Sequence, residues 1–136
     1  MHLHTARDAE RLRALLGPDP ARRTVTVLGA GFVGSETAAW LAEVGATVHL
    51  VARSRLPLAG ALGTAVARAV ALRHEEHLDA HLGRRVEAVT ERPGGVTVRL
   101  GRRAGPERSE QRRVGQGSRT RWAPSRSNKK TVVKCA

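Results

Sequence analysis

The sequence contains no tyrosine, one phenylalanine and two tryptophans, so aromatic residues make up only 2% of its 136 residues. Aliphatic side chains must therefore fill any core, and an apolar fraction of 40% is enough for one domain. The single cysteine, Cys135, excludes a disulfide framework and a Cys-x-x-Cys redox pair. No apolar run approaches the roughly 20 residues that cross a bilayer, and the first 17 residues carry acidic groups that a secretory signal lacks. A cytoplasmic location, with no membrane contact, is the default expectation.

Lysine is absent from the first 128 residues and then occurs at Lys129, Lys130 and Lys134. The net charge of +12 is equally uneven. Residues 1–100 contain 13 arginines and 10 acidic residues, whereas residues 101–136 contain 11 basic and two acidic residues. From Arg103 onward the sequence is rich in arginine, serine and glycine and has no hydrophobic period. We therefore predict one domain over residues 1–102 and a basic, disordered tail over residues 103–136.

The basic tail supplies the alternative function, that of a nucleic-acid-binding protein. The eleven basic residues between 101 and 136 can bind nucleic acid nonspecifically by releasing counterions, and Trp122 is able to stack on a base. A solvated tail without an evolved partner explains the same composition more simply. Nucleic acid is therefore the less favoured partner.

Hydrophobic periodicity predicts a helix over residues 5–16, with Thr5 as N-cap and Asp8 as the acid of a capping box. A β-branched run over residues 24–28 predicts a buried strand. A helix over residues 31–44, with Gly45 as its C-cap, and a second strand over residues 47–51 complete a βαβ unit.

Farther along the chain, the pattern predicts a helix over residues 58–75 and a short strand over residues 78–82. Alternating residues at 86–90 and 96–100, separated by the turn sequence RPGG, predict an antiparallel hairpin. The predicted fold class is therefore α/β, a Rossmann-like three-layer parallel sheet with an appended hairpin.

The sequence VTVLGAGFVGSE places three glycines from the end of the first strand into the first turn of the second helix. Gly29 permits the tight turn, Gly31 lets a pyrophosphate approach the backbone, and Gly34 lets the helix pack on the strand. The first N–H groups of the helix and its dipole favour the negative charge. Strand and helix context supports dinucleotide binding. The alternative is that these glycines serve tight packing alone.

The end of the second predicted strand distinguishes the two nicotinamide cofactors. NAD sites usually place an acidic residue there to bind the ribose 2′-hydroxyl, but this chain has Ala52 and Arg53. A carboxylate would repel a 2′-phosphate, whereas Arg53 and Arg55 offer donors that clamp it. We therefore predict NADPH in preference to NADH. Solvated arginines and ordinary NADH binding are the alternative.

Four segments taken together resemble the NAD(P)H-binding domain of FAD-dependent pyridine nucleotide oxidoreductases, in the branch of ferredoxin, rubredoxin and rhodocoxin reductases. The resemblance covers about residues 3–102. The segments are TARDAERLRALL (Thr5–Leu16), VTVLGAGFVGSETAAWLAEVGATVHLV (Val25–Val51), RLPL (Arg55–Leu58) and LGRRVEAV (Leu82–Val89).

The resemblance implies that hydride passes from the nicotinamide to FAD and that electrons then reach a ferredoxin-like acceptor. It implies that Glu36 lies near the nicotinamide carboxamide. Without the resemblance, Glu36 is simply an acid in the first turns of a helix, where the dipole favours it. The residues expected to contact the cofactor are Gly29, Ala30, Gly31, Phe32, Val33, Gly34, Glu36, Ala52, Arg53 and Arg55.

The sequence also departs from the family. The FAD domain's own glycine turn and its later Gly-Asp segment are missing, and the basic tail begins where a last strand should follow Gly101. We therefore expect a truncated domain, inactive alone, with an open sheet edge. We interpret the tail as translation beyond the native coding segment, which the genomic reading frame tests. We predict no catalytic residue and no metal site, although His74, His77 and His81 have a spacing that a helix would place on one face.

Overall fold

The computed structural model describes residues 1–102 and the backbone of residues 132–135. In chain order the elements are helix α1 (Ala6–Leu16), a 3₁₀ turn (Pro20–Arg22), strand β1 (Thr24–Leu28), helix α2 (Phe32–Glu43), strand β2 (Thr47–Ala52), helix α3 (Ala59–His77), and strands β3 (Asp79–Leu82), β4 (Val86–Arg92), β5 (Gly95–Leu100) and β6 (Val132–Cys135). Within the described ranges, no helix has the length and apolar character needed to span a bilayer.

Four strands form one sheet in the order β3-β2-β1-β6, and β4 and β5 form a separate hairpin. Strands β1, β2 and β3 are parallel to one another. The two connections between parallel strands contain α2 and α3, as βαβ units require. The predicted α/β fold, with its parallel sheet and appended antiparallel hairpin, is confirmed.

One face of the sheet forms the core, because successive side chains of a strand point to opposite faces. Inward residues of β1 and β2 pack with apolar residues of α2 in one cluster, which includes Val25, Val27, Val48, Leu50, Ala38 and Leu41. A smaller cluster joins Leu82 of β3 to Ala71 of α3. Helices α2 and α3 therefore cover the same face. The opposite face carries the partly exposed residues Thr26, His49 and His81.

Both predicted helix caps are present. In α1, the Asp8 amide donates to Thr5 Oγ1 and the Thr5 amide donates to an Asp8 carboxylate oxygen, which is the predicted capping box. Hydrogen bonds from the His4 amide first, and from Thr5, hold the pKa of Asp8 below its ordinary value. At the end of α2, Gly45 has φ +94° and the Ala46 amide donates to the Leu41 carbonyl over 3.0 Å. This is the Schellman arrangement that favours glycine.

Helix α3 differs from the prediction by an internal break. Its bounds lie within two residues of the predicted range, but Gly63 has φ +77° and ψ 165°, which interrupts the helical backbone. The helix is preceded by Leu58 in the left-handed conformation, φ 63°. Periodicity alone did not show the break, because an isolated glycine is tolerated inside a helical pattern.

The end of the chain corrects one expectation. Val132–Cys135 forms β6, which pairs antiparallel with β1 from Val25↔Cys135 to Leu28↔Val132. The edge of β1 is therefore covered and not open as expected, and these four residues have regular structure. Residues 103–131, including Trp122 and most of the basic groups behind the nucleic-acid alternative, lie outside the described part of the chain.

A buried histidine in α3 makes folding sensitive to pH. His74 is 7% exposed, and within residues 1–102 its Nε2 has no hydrogen-bond partner. Burial lowers the pKa of this imidazole from 6.5, because the charged form loses its hydration. The unfolded chain therefore binds a proton at a higher pH than the folded chain. Between the two pKa values the free energy of unfolding rises with pH.

We expect the protein to lose stability as pH falls below about 6.5, and we expect His74→Leu to remove part of that dependence. Thermal unfolding at a series of pH values, followed by circular dichroism, measures both effects. The matched control is His77→Gln, which changes an exposed histidine one turn away on the same helix. Equal pH dependence in the wild type and in His74→Leu would show that His74 is not the source.

Candidate functional site

The glycine turn joins β1 to α2 at the carboxyl end of the parallel strands. Gly29 has φ +108°, a backbone conformation that L side chains rarely adopt. Its amide donates to the Val51 carbonyl over 2.8 Å, which ties the turn to the end of β2. Gly31 is the N-cap of α2, with φ −80° and ψ −172°. Gly29 is therefore required by the backbone, whereas Gly31 is not.

Gly31 has open space where a side chain would be. A Cβ built on it meets nothing within 4 Å, so packing within the described chain does not demand glycine there. The neighbouring Phe32 and Val33 are 54% and 48% exposed, whereas Gly34 is buried against the sheet. The packing explanation therefore suits Gly34 and fails for Gly31. A close approach by something outside the chain explains Gly31 better.

The N-terminus of α2 has no side-chain cap within the described residues. The first N–H groups of a helix have no intrahelical partner, and they carry the positive end of the helix dipole. The Ser35 amide is the first that bonds back, to the Gly31 carbonyl over 2.8 Å. The amides before it have no partner within the helix, and Gly31, with its open Cβ position, stands at the same end of α2. This arrangement is suited to an anion.

Two hydrogen bonds hold the segment after β2 next to the segment after β3. The Arg84 amide donates to the Ala52 carbonyl over 2.9 Å, and the Gly83 amide donates to the Ser54 carbonyl over 3.2 Å. Ser54 Oγ also donates to the Leu56 carbonyl over 2.7 Å. Ala52 is buried. Its side chain is a methyl group, so this position lacks the carboxylate that NAD sites usually have there. Arg53, the next residue, is exposed.

The two arginines of the expected clamp differ in their surroundings. The side chain of Arg55 lies against the backbone of Gly83, with its Cγ 2.8 Å from the place that a Cβ on that glycine would take. Arg55 therefore leans toward β3, on the side of β2 away from the glycine turn. Arg53 directly follows the buried end of β2. Unlike Arg55, it is not found against any glycine of residues 1–102.

The ten residues expected at the cofactor all lie on the segments that leave β1 and β2 at their carboxyl ends. This edge is where ligands bind in open parallel sheets. Glu36 is exposed on α2, one turn after Phe32. Sequence reasoning missed Ser54 and Gly83, whose backbone hydrogen bond fixes the arginine-bearing segment. In the sequence, the glycine after β3 was the only signal for this contact. Its partner, Ser54, could not be identified without knowing the strand order.

The three histidines considered for metal are not brought together in the described part of the chain. His74 is buried in α3, and His77 is exposed at the end of the same helix. His81 lies on β3 and instead contacts His49 of β2, with the two rings stacked at a centroid distance of 5.6 Å. Helix α3 ends at His77, so His81 does not continue the helical spacing on which the grouping of His74, His77 and His81 depended.

Comparison with solved structures gives the same architecture. The crystal structure of Fdr9 is 32% identical, with a TM-score of 0.56, over 70% of this chain and 23% of that protein. The water-forming NADH oxidase from Lactobacillus brevis, bound to NADH, is 23% identical, with a TM-score of 0.59, over 71% of this chain and 21% of the oxidase. An engineered NADPH oxidase made from it, bound to NADPH, is 24% identical with a TM-score of 0.61. The chain thus spans about a fifth to a quarter of the length of these proteins.

No curated protein sequence is significantly similar to this chain. The sequence profile of the family described as pyridine nucleotide-disulphide oxidoreductase, however, matches residues 1–108, which include every strand and helix before β6. The profile match covers most of the chain, and it agrees with the glycine turn, the uncapped helix and the parallel sheet. The chain therefore belongs to the pyridine nucleotide-disulphide oxidoreductase family.

Proposed function

We propose that this chain is a nicotinamide dinucleotide-binding domain that takes NADPH in preference to NADH. The observation that carries the proposal is the open space at Gly31 beside the uncapped N-terminus of α2. The pyrophosphate lies there, held by the first amides of the helix and by its dipole. Gly29, Ala30, Phe32, Val33 and Gly34 shape this turn.

The adenosine ribose then extends toward the carboxyl end of β2, because the hydrogen bond from Gly29 to Val51 places the turn beside that strand end. At that end, Ala52 presents a buried methyl group where a carboxylate would repel a phosphate. Arg53 is exposed and offers planar, paired donors to a 2′-phosphate. Arg55, held against Gly83, completes the clamp from the β3 side.

The engineered NADPH oxidase supports the cofactor preference. Three of its substitutions replace consecutive aspartate, alanine and methionine residues by alanine, arginine and serine. This chain has the same run in Ala52, Arg53 and Ser54. The other two substitutions have no counterpart at the same spacing, where this chain has Gly34 in place of alanine and Ala59 in place of arginine. The comparison thus supports Arg53 most directly.

We further propose that the domain serves an FAD-dependent oxidoreductase of this family, in which FAD accepts the hydride and a ferredoxin-like protein accepts the electrons. Residues 1–102 contain one strand–glycine turn–helix unit, and it is assigned here to the nicotinamide cofactor. These residues therefore do not fit a second dinucleotide such as FAD, and we expect the isolated chain to be inactive. Glu36 lies one helical turn beyond the pyrophosphate site and is proposed to face the nicotinamide carboxamide.

The first prediction concerns the 2′-phosphate. We expect Arg53→Ala to weaken NADPH binding by about 10- to 100-fold, which is the loss of one or two charge-assisted hydrogen bonds, and to leave NADH binding within about threefold. Arg53→Lys keeps the charge but loses the fork, so its NADPH affinity should fall between the two. Isothermal titration of the full chain with both nucleotides measures this.

The matched control is Arg11→Ala, which removes an exposed arginine on α1. Unchanged NADPH affinity in Arg53→Ala would refute the clamp.

The second prediction separates the two functions of the glycines. Gly31→Ala should leave the melting temperature nearly unchanged, since its Cβ meets nothing, yet weaken dinucleotide binding at least about tenfold. Gly29→Ala should instead cost about 1–2 kcal/mol of stability, because its φ of +108° is strained for alanine. Thermal unfolding and nucleotide titration of both variants test this. Full nucleotide affinity in Gly31→Ala would refute a close approach of the pyrophosphate at Gly31.

The third prediction concerns Glu36. If it faces the carboxamide, Glu36→Gln should change the affinity for NADPH but not for 2′-phospho-ADP-ribose, which lacks the nicotinamide. Glu43→Gln, at an exposed acid near the other end of α2, is the control. An equal change for both ligands would indicate that Glu36 acts only through the field at the helix N-terminus.

A further inference from the structure

The register of β2 and β3 brings two histidines and an aspartate together on the sheet face that α2 and α3 leave uncovered. His49 of β2 lies directly opposite Asp79 of β3, and His81 follows Asp79 by two residues, on the same face. His49 Nδ1 is 2.8 Å from Asp79 Oδ2, and His81 Nε2 is 3.4 Å from Asp79 Oδ1. The two ring nitrogens are 3.4 Å apart. Each of the three residues thus offers one potential ligand atom, and these atoms all lie within 4.8 Å of one another.

These separations match the spacing of ligands around a small metal ion. Ligand atoms about 2.0–2.1 Å from a tetrahedral zinc are about 3.3 Å from one another. The nitrogen–nitrogen distance and the distance from His81 to the carboxylate have this value, and the distance from His49 to the carboxylate is shorter by about half an ångström. The two distances to the carboxylate end on different oxygens, and one oxygen of Asp79 lies within 4.8 Å of both imidazole nitrogens.

We propose that His49, Asp79 and His81 form a binding site for a divalent transition-metal ion, with Zn²⁺ as the best fit. Two imidazoles and a carboxylate are donors that suit zinc and its neighbours, and they suit calcium or magnesium poorly. The side chains are 33%, 55% and 30% exposed, so an ion can enter from solvent. Three protein ligands leave a fourth position for water on the open side.

This metal site is separate from the proposed nucleotide site. His49 precedes Ala52 by three residues, which is about 10 Å along an extended strand. It also does not depend on the glycine turn or on Arg53. A bound ion joins β2 to β3, a strand of four residues at the edge of the sheet. Metal binding should therefore raise the melting temperature of the chain.

The test uses Co²⁺ as a spectroscopic substitute for Zn²⁺ in the full 136-residue chain. We expect one equivalent of Co²⁺ to give the visible absorption of a four-coordinate ion and Zn²⁺ to displace it. His49→Ala and Asp79→Asn should each weaken binding at least about tenfold. Asp79→Asn preserves shape, and circular dichroism verifies that each variant is folded.

Three controls address other donors. His2 and His4 form a second stacked pair, with centroids 6.0 Å apart, so the double variant His2→Ala, His4→Ala should bind as tightly as the wild type. Cys135→Ser, which removes the one thiol, and His77→Gln should do the same. Histidine-selective modification, mapped by mass spectrometry, needs no variant. Zn²⁺ should protect His49 and His81 and leave His77 reactive.

Wild-type affinity in both His49→Ala and Asp79→Asn would overturn the proposal. It would also be overturned by loss of binding only in the His2/His4 or Cys135 variants, or by a wild-type chain that shows neither cobalt absorption nor protection of His49 and His81 by Zn²⁺.

Discussion

Parallel pairing of β1 with β2 is the constraint on which the other features depend. Five consecutive residues pair in register, from Thr24↔Thr47 to Leu28↔Val51, and the inward side chains Val25, Val27 and Leu50 are completely buried. Because the two strands end together, the turn that leaves β1 and the segment that leaves β2 begin side by side. A shift of one residue would turn the core side chains to the other face and separate these two segments.

The candidate nucleotide site combines two sources of positive charge that come from different levels of structure. One is the uncapped start of α2, whose dipole is a property of the backbone and is the same for any dinucleotide. The other is the guanidinium of Arg53, whose donors distinguish a phosphate from a hydroxyl. In the proposed function, affinity for the pyrophosphate and preference for one cofactor therefore belong to separate segments. In that proposal, a change in one segment leaves the other intact.

Local patterns predicted most of the fold, because each pattern had a local physical cause. The capping box at Thr5 and Asp8, the Schellman glycine Gly45 and the hairpin turn all depend on residues close in sequence. The glycine turn was predicted for the same reason. Contacts between distant segments were not predictable. The pairing of His49 with Asp79 and the contact of Arg55 with Gly83 depend on strand order and register. Likewise, four residues near the C-terminus gave too short a pattern to predict β6.

Strand β6 determines whether another strand can pair with the edge of β1. It uses the outward amides and carbonyls of β1, and the 31 residues from 101 to 131 separate it in the sequence from the end of β5. A strand only four residues long, so far along the sequence from the strand before it, gains few hydrogen bonds for the entropy it loses. Any other segment that adds to the same edge must first displace it. Strand β6 therefore competes with any such segment for the edge of β1. A further strand can pair with β1 only by replacing β6.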